Sequence, residues 1–366
     1  MLPVLPPLGR PFLKLLLLLL LLLASRLPGR ARPPARYQLA TAEKPVALLP
    51  AGRATYLITE HSVFELGRRQ LVRRYQSEAL IRCALATDTA LWLGTQQGAL
   101  RLSIRHFAAR RLSLPDAAGQ APITALCRDA GGRIWVGALG LGVFRQADAT
   151  GNSPFESVLS VPTVSAALAT TDSSVWIGSS LGLNRFRRGA WTRYNEEGVA
   201  GLEIPDNLVD KLLPDNAGNF WVLMSAGISV FPGGGTAAPA TPAELPTATF
   251  IGWPGNEVFS VASLPGLGRV FATAMGPLLL PENPAGPFAS FELAASDKVE
   301  PKRALLPLRL PGENLPYLIQ TDPQQRVWVV SAGEVRVWSA KAFRQLTQAQ
   351  LAKPVLTKLA ALPGFR

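Results

Sequence analysis

Histidine and cysteine are nearly missing from this chain, at two each in 366 residues, and methionine stands at three. His61 and His106 form no metal-ligand spacing, and neither cysteine, Cys83 or Cys127, has a histidine beside it in sequence that would make it a nucleophile. The glycine-rich stretch from Gly137 to Gly142 precedes a strand rather than a helix, with no Gly-Lys-Ser/Thr after it, so it is a turn and not a phosphate loop. Asp215-Asn216-Ala217-Gly218-Asn219 lacks the terminal glutamate and acidic alternation of a calcium loop. No catalytic set and no cofactor are expected.

Acidic residues are fewer than basic ones, 25 against 37, for a formal charge of +12. Residues 1–36 hold six of those bases and no acid, so the rest of the chain has only a mild surplus. The pairs Arg68-Arg69, Arg73-Arg74, Arg110-Arg111 and Arg187-Arg188 read as solvated outer strands, where charge guards an edge against aggregation. A nucleic-acid partner is not expected.

Long apolar runs are also missing, with one exception: nine leucines at 15–23, preceded by Arg10 and Lys14. At about 1.5 Å per residue such a run covers about half of a hydrocarbon core of about 30 Å. Residues 1–35 therefore read as an export signal, placing the protein in the periplasm or outside the cell. Arg26, Arg30, Arg32 and Arg36 on the downstream flank favour the alternative, an uncleaved inner-membrane anchor over residues 12–24.

What the chain does have is a repeat. Tyr56, Trp92, Trp135, Trp176, Trp221, Phe271 and Trp328 each sit in a short apolar run, and most are followed about six residues later by glycine. Their separations fall mostly in the range of four-stranded propeller blades. In the unit that starts at Ile123, Ile123, Ala125 and Cys127 alternate along a strand, and Asp129-Ala130-Gly131-Gly132 turns the chain. Ile134 to Gly137, Val143 to Arg145 and Phe155 to Val161 supply three further strands. The expectation is an all-β, seven-bladed propeller of four-stranded antiparallel blades over residues 36–340, with each aromatic filling the gap between blades. Cys83 and Cys127 then fall in inner strands of adjacent blades, too far apart for a disulfide, and read as buried free thiols.

The strings LWLGTQQGALRL (from Leu91), RIWVGALGLGVF (from Arg133) and VWIGSSLGLNRF (from Val175) resemble the repeats of two-component regulator propellers. The resemblance implies the periplasmic sensor part of a bacterial hybrid histidine kinase, or such a propeller alone. No phospho-acceptor helix, kinase or receiver region is read here, so a separate sensor kinase is an expected partner. Streptogramin-lyase-like propellers share the Asp-x-x-Gly-x-Ile/Leu-Trp signature, and in that less favoured reading His61 would be the general base.

Arg36-Tyr37-Gln38-Leu39 resembles an outer strand, so residues 36–41 are expected to complete the blade of Trp328 and close the ring. Residues 341–366 would pack on the propeller or extend it, with Ala340 to Leu351 as a short helix. In this scheme the turns between second and third strands share a face with the connections that lead into each inner strand. That face holds the candidate ligand contacts: Gln96, Gln97, Ser179, Ser180, Asp206, Asn207, Met224, Ser225, Glu313 and Asn314. Their uncharged polar bias suits an oligosaccharide. The other reading is a scaffold for an envelope protein, marked by an exposed apolar patch on one face.

Overall fold

Runs of four to seven residues rich in valine, isoleucine, leucine and tryptophan, broken by glycine turns, cannot bury both faces of a single sheet, so the sheets must stack against one another. The computed structural model describes residues 34–351 except 40–41, 53, 68–69, 116–118, 150–152, 200–201, 216–217, 233–247, 252–257, 283–304, 313 and 323. The leucine run and the expected leader lie outside the described residues, as do Arg68-Arg69 and the tail beyond Leu351. The described residues form seven four-stranded antiparallel sheets. The inner strands of blades 1 to 7 are Pro45–Ala51, Ile81–Ala86, Ile123–Arg128, Val164–Ala169, Val209–Pro214, Val258–Leu264 and Pro316–Thr321. Each blade runs from inner to outer strand in chain order, except that the outermost strand of blade 7 is Ala35–Gln38 from the other end of the chain.

That strand closes the ring. Its residues pair antiparallel with Glu334–Trp338, Leu39 N–H donates to Gly333 O at 2.9 Å, and Arg36 meets Glu334. Strands from the two ends of the propeller thus share one blade, which covers the edge that Glu334–Trp338 would otherwise present.

Seven apolar clusters sit at the seven blade interfaces. Trp92 packs on Ile123 and Val136 of blade 3, Trp135 on Val164 and Ile177 of blade 4, Trp176 on Val209 and Phe220 of blade 5, and Trp328 on Leu48 and Leu57 of blade 1. Each of these indoles is buried, and Arg101, Arg145, Arg185 and Arg326 lie over them with guanidinium centres 5.0–5.8 Å from the ring centroids.

Blade 6 departs from the expected anchor. Phe271 pairs with Val261, as Leu93 pairs with Ala84, so Val270 occupies the place that tryptophan holds elsewhere. A one-residue offset turns a side chain to the other face of a sheet. Phe271 therefore packs back on Trp221 of blade 5, with centroids 5.0 Å apart. The space left beside Val270 is filled by Trp338 and by Phe343 of the helix Ala340–Leu351. Ser339 caps that helix through the Ala342 N–H, and Arg344 donates to Pro265 O, which places the helix against the first turn of blade 6, on the face opposite the second turns.

The glycines that give the repeat its rhythm are packing requirements. Gly182 has a φ of +100°, and a Cβ there would lie 2.2 Å from Tyr194 O. At Gly137 a Cβ would lie 2.5 Å from Val164 Cγ1, so its lack of a side chain sets how closely blade 4 approaches blade 3.

The aspartate of the Asp-x-x-Gly turn has a structural task as well. Trp135 Nε1 donates to Asp129 at 3.0 Å, Trp328 Nε1 to Asp322 at 2.9 Å and Trp221 Nε1 to Asp215 at 3.3 Å. Burial pushes the carboxyls of Asp129 and Asp322 up, but the bonds from tryptophan, from the turn backbone and from the adjacent arginine outweigh it and hold both below the ordinary range. In blade 4 the Thr170 hydroxyl oxygen accepts from Trp176 Nε1 at 3.2 Å.

Candidate functional site

In each of the seven inner strands the register slips by one residue at the second position, between Pro45 and Ala47 in blade 1 and at the equivalent place in every other blade. A bulge of this kind leaves one residue out of the ladder and re-aims it. The residues so treated are Val46, Arg82, Thr124, Ser165, Asp210, Phe259 and Tyr317. The slip also frees the carbonyl just before it to accept a bond from the preceding blade. Lys211 Nζ donates to Val258 O at 2.8 Å and Cys83 Sγ to Ile123 O at 3.7 Å, while Thr124 reaches Val164 O and Ser165 reaches Val209 O. These four bonds staple blades 2 to 6 to one another where they converge.

Inside the ring of blades lies a cavity of about 570 Å³ to which all seven blades contribute, among them Val46, Arg82, Thr124, Ser165, Lys211, Phe259 and Tyr317. Its volume is in the range of small-molecule sites. Phe259 and Tyr317 form a tilted pair with centroids 5.1 Å apart. Lys44 Nζ lies 5.2 Å from the Tyr317 centroid and 5.9 Å from that of Phe259, and Lys211 Nζ lies 5.4 Å from Phe259. Two ammonium groups therefore converge on one aromatic pair. Burial, and after it the charge of Lys44, push Lys211 below the ordinary lysine value against the pull of Asp210. Three bases, Lys44, Arg82 and Lys211, line the cavity with one acid, Glu60. A carboxylate or sulfate placed between the lysines would relieve their mutual repulsion.

The expected contacts are on the predicted face but mostly hold the turns together. The second turns and the lead-ins do touch: Gln96 N–H donates to Leu80 O at 2.8 Å, and Gly182 N–H to Asn207 O at 2.7 Å. Gln96 and Gln97 are exposed in their turn. Ser180 is half-buried, and its N–H donates to Thr163 O at 3.3 Å. Ser179 and Met224 are fully buried; the Ser179 hydroxyl donates to Gly182 O at 2.8 Å, and Met224 packs with Trp176 and Val222. Asp206 accepts from Leu208 N–H at 2.8 Å, from the Ser225 hydroxyl at 2.6 Å and from Ala226 N–H at 3.2 Å. Asn207 bonds to the Glu196 backbone, and Asn314 Nδ2 donates to Ala332 O at 3.0 Å. Glu313 lies outside the described residues. None of the other nine is among the residues that line the cavity.

His61 lies in the second turn of blade 1 and does not line the cavity. Its backbone is tied on both sides, accepting from Ser77 N–H at 2.7 Å and donating to Glu43 at 3.2 Å. Cys83 and Cys127 are free, and burial pushes the Cys83 thiol up to about 12 and raises Cys127 as well. Among the described residues no cluster of histidine, cysteine and acids could hold a metal, and no helix is long and apolar enough to cross a membrane.

No known sequence family matches the chain, and no curated protein does. Solved structures do match in fold. The extracellular domain of BT4673 from B. thetaiotaomicron, named as a one-component and as a hybrid two-component system, superposes with a TM-score of 0.62 at 14% identity. This chain is a β-propeller of that shape. The match covers 84% of this chain and 40% of the BT4673 chain, so the protein spans well under half of that neighbour. The extracellular domain of the hybrid two-component system BT3049 from the same organism gives 0.58 at 14% identity over 84% of this chain and 42% of its own. A streptogramin B lyase gives 0.57 at 12% identity, over 83% of this chain and 96% of the lyase.

Proposed function

We propose that this chain is an exported, non-enzymatic recognition propeller, comparable in role to the sensor module of a two-component regulator, that takes its target at the mouth of the central channel. The observation that carries this is the convergence of seven bulged strands on one cavity with an aromatic pair and two lysines. Bulges persist where they re-aim a side chain, and here the bulge residues of six blades line the cavity, with Lys211 rather than Asp210 doing so in blade 5. The apolar run behind Arg10 and Lys14 supports a periplasmic or secreted location, as does the extracellular description of the two sensor neighbours. A separate envelope kinase would carry the signal onward.

A lyase reading requires a general base over the channel, and the cavity contains no histidine. The test is a thermal-shift screen of the full chain against envelope glycans, small anions and peptides, repeated with Phe259→Ala and Lys211→Met. A stabilising compound whose effect disappears in both variants supports the reading. Turnover of a compound that His61→Ala abolishes, or binding that ignores both mouth variants, refutes it.

A further inference from the structure

Eight large apolar side chains remain exposed among the described residues, and all but Leu351 lie in second turns or in the lead-ins to inner strands. Leu139, Leu141, Leu181, Leu208, Met275 and Leu315 are each 37–47% exposed. They share one face with the channel mouth, because the turns and lead-ins that bear them bond to each other. Leu139 N–H donates to Pro122 O at 2.9 Å, Gly182 N–H to Asn207 O at 2.7 Å and Asn314 Nδ2 to Ala332 O at 3.0 Å. In the ring they form an arc over blades 3 to 7, while the matching turns of blades 1 and 2 carry His61 and the pair Gln96-Gln97.

The face therefore has two parts: an apolar arc, and a basin beside it in which Lys44, Arg82 and Lys211 outnumber Glu60. Exposed apolar side chains gathered on one face of a protein mark an interaction surface. The leucines and methionine of the arc offer no ring on which a sugar could stack, and in the basin the rings of Tyr317 and Phe259 carry Lys44 and Lys211 over them, whereas the arc matches the large aliphatic side chains of a polypeptide. The surplus of base in the basin selects acid in the partner.

We propose that this face docks a segment of a partner protein in which acidic residues are flanked by large apolar ones, the carboxylates entering the basin and the flanks lying on the arc. The inference rests on the reading of the channel mouth as the recognition site and adds the class of target. It gives the expected envelope partner a chemistry.

The test is selection of a random peptide display library on the full chain, followed by affinity measurement of the enriched peptides by fluorescence anisotropy. The expected peptides carry aspartate or glutamate beside leucine, isoleucine, phenylalanine or methionine. Their affinity should fall about tenfold or more in Lys44→Ala/Lys211→Ala and in Leu181→Asp/Leu208→Asp, and should weaken with added salt. Lys44, Leu181 and Leu208 are exposed, and an unchanged melting temperature confirms that each variant folds. Enrichment of basic or uncharged peptides, indifference to the variants, or no enrichment overturns the proposal. Oligogalacturonate is titrated in parallel. If it binds through Lys44 and Lys211 while no peptide does, the mouth remains a recognition site and the peptide inference falls. If neither binds, both readings fall.

Discussion

Asp215 and Arg269 allow the ring's polar staples to be measured. Asp215 is fully buried in blade 5, Arg269 is 6% exposed in blade 6, and Arg269 Nε meets the Asp215 carboxylate at 2.7 Å. The same carboxylate accepts the Asn219 backbone N–H at 3.1 Å and the Trp221 indole at 3.3 Å. Asp215→Ala would remove the carboxylate that the buried Arg269 guanidinium, the Asn219 N–H and the Trp221 indole all bond. Breaking a buried pair from one side costs about 3–5 kcal/mol. At roughly 2 °C per kcal/mol for a chain of this size, the melting temperature should drop by about 6–10 °C. Replacing both partners differs in kind, because a well-packed apolar substitute avoids desolvating two charges. Blade 4 shows that threonine can hold the turn and the indole, at Thr170 and Trp176. Asp215→Thr with Arg269→Val should therefore recover most of the loss, with a coupling of about 2–3 kcal/mol in a double-mutant cycle followed by tryptophan fluorescence. Additive single and double effects would refute the claim that this pair acts as one inter-blade staple.

The other predictions concern single groups. Trp92 Nε1 is buried without a partner because the turn of blade 2 is one residue shorter and places Thr87 where Asp129 stands in blade 3. Thr87→Asp should supply that acceptor and raise stability by about 1 kcal/mol; an unchanged or lower chemical denaturation midpoint would contradict this. Burial pushes Asp172 up, but bonds from Thr170, Ser174 and Arg185 more than reverse it and hold its carboxyl at about 2. A lowered folded-state value means stability that is present above the unfolded aspartate value and lost as pH falls toward 2, and Asp172→Asn should flatten that acid limb of the denaturation profile. Cys83 and Cys127, with thiols raised by burial, should stay unreactive to a disulfide reagent at pH 8 in the folded protein and react fully in denaturant.

Much of the architecture was legible because a propeller repeats its local signals. Trp135 and Trp176 with the glycines two residues on marked the second strands, and Arg36-Tyr37-Gln38-Leu39 looked like an outer strand because its alternation matches others in the chain. The anchor of blade 6 was misread because Val270 and Phe271 are both apolar, and without tryptophan or glycine the alternation has two equivalent phases. The site was less legible. Turn composition pointed to Ser179 and Asp206, whose side chains satisfy the turns themselves. The bulge residues share a position and no chemistry, from Val46 to Arg82 to Tyr317, so no motif marks them. The signal that could have found them was positional, namely the second residue of each inner strand.

Hydrogen–deuterium exchange of the full chain with its captured target bound tests the central claim most directly. The account predicts slowed exchange in peptides that begin the inner strands, around Lys44, Arg82, Ser165, Phe259 and Tyr317, and in the second turns around Leu181 and Met275. Protection confined to the outer strands, or to the helix Ala340–Leu351 on the opposite face, would contradict it.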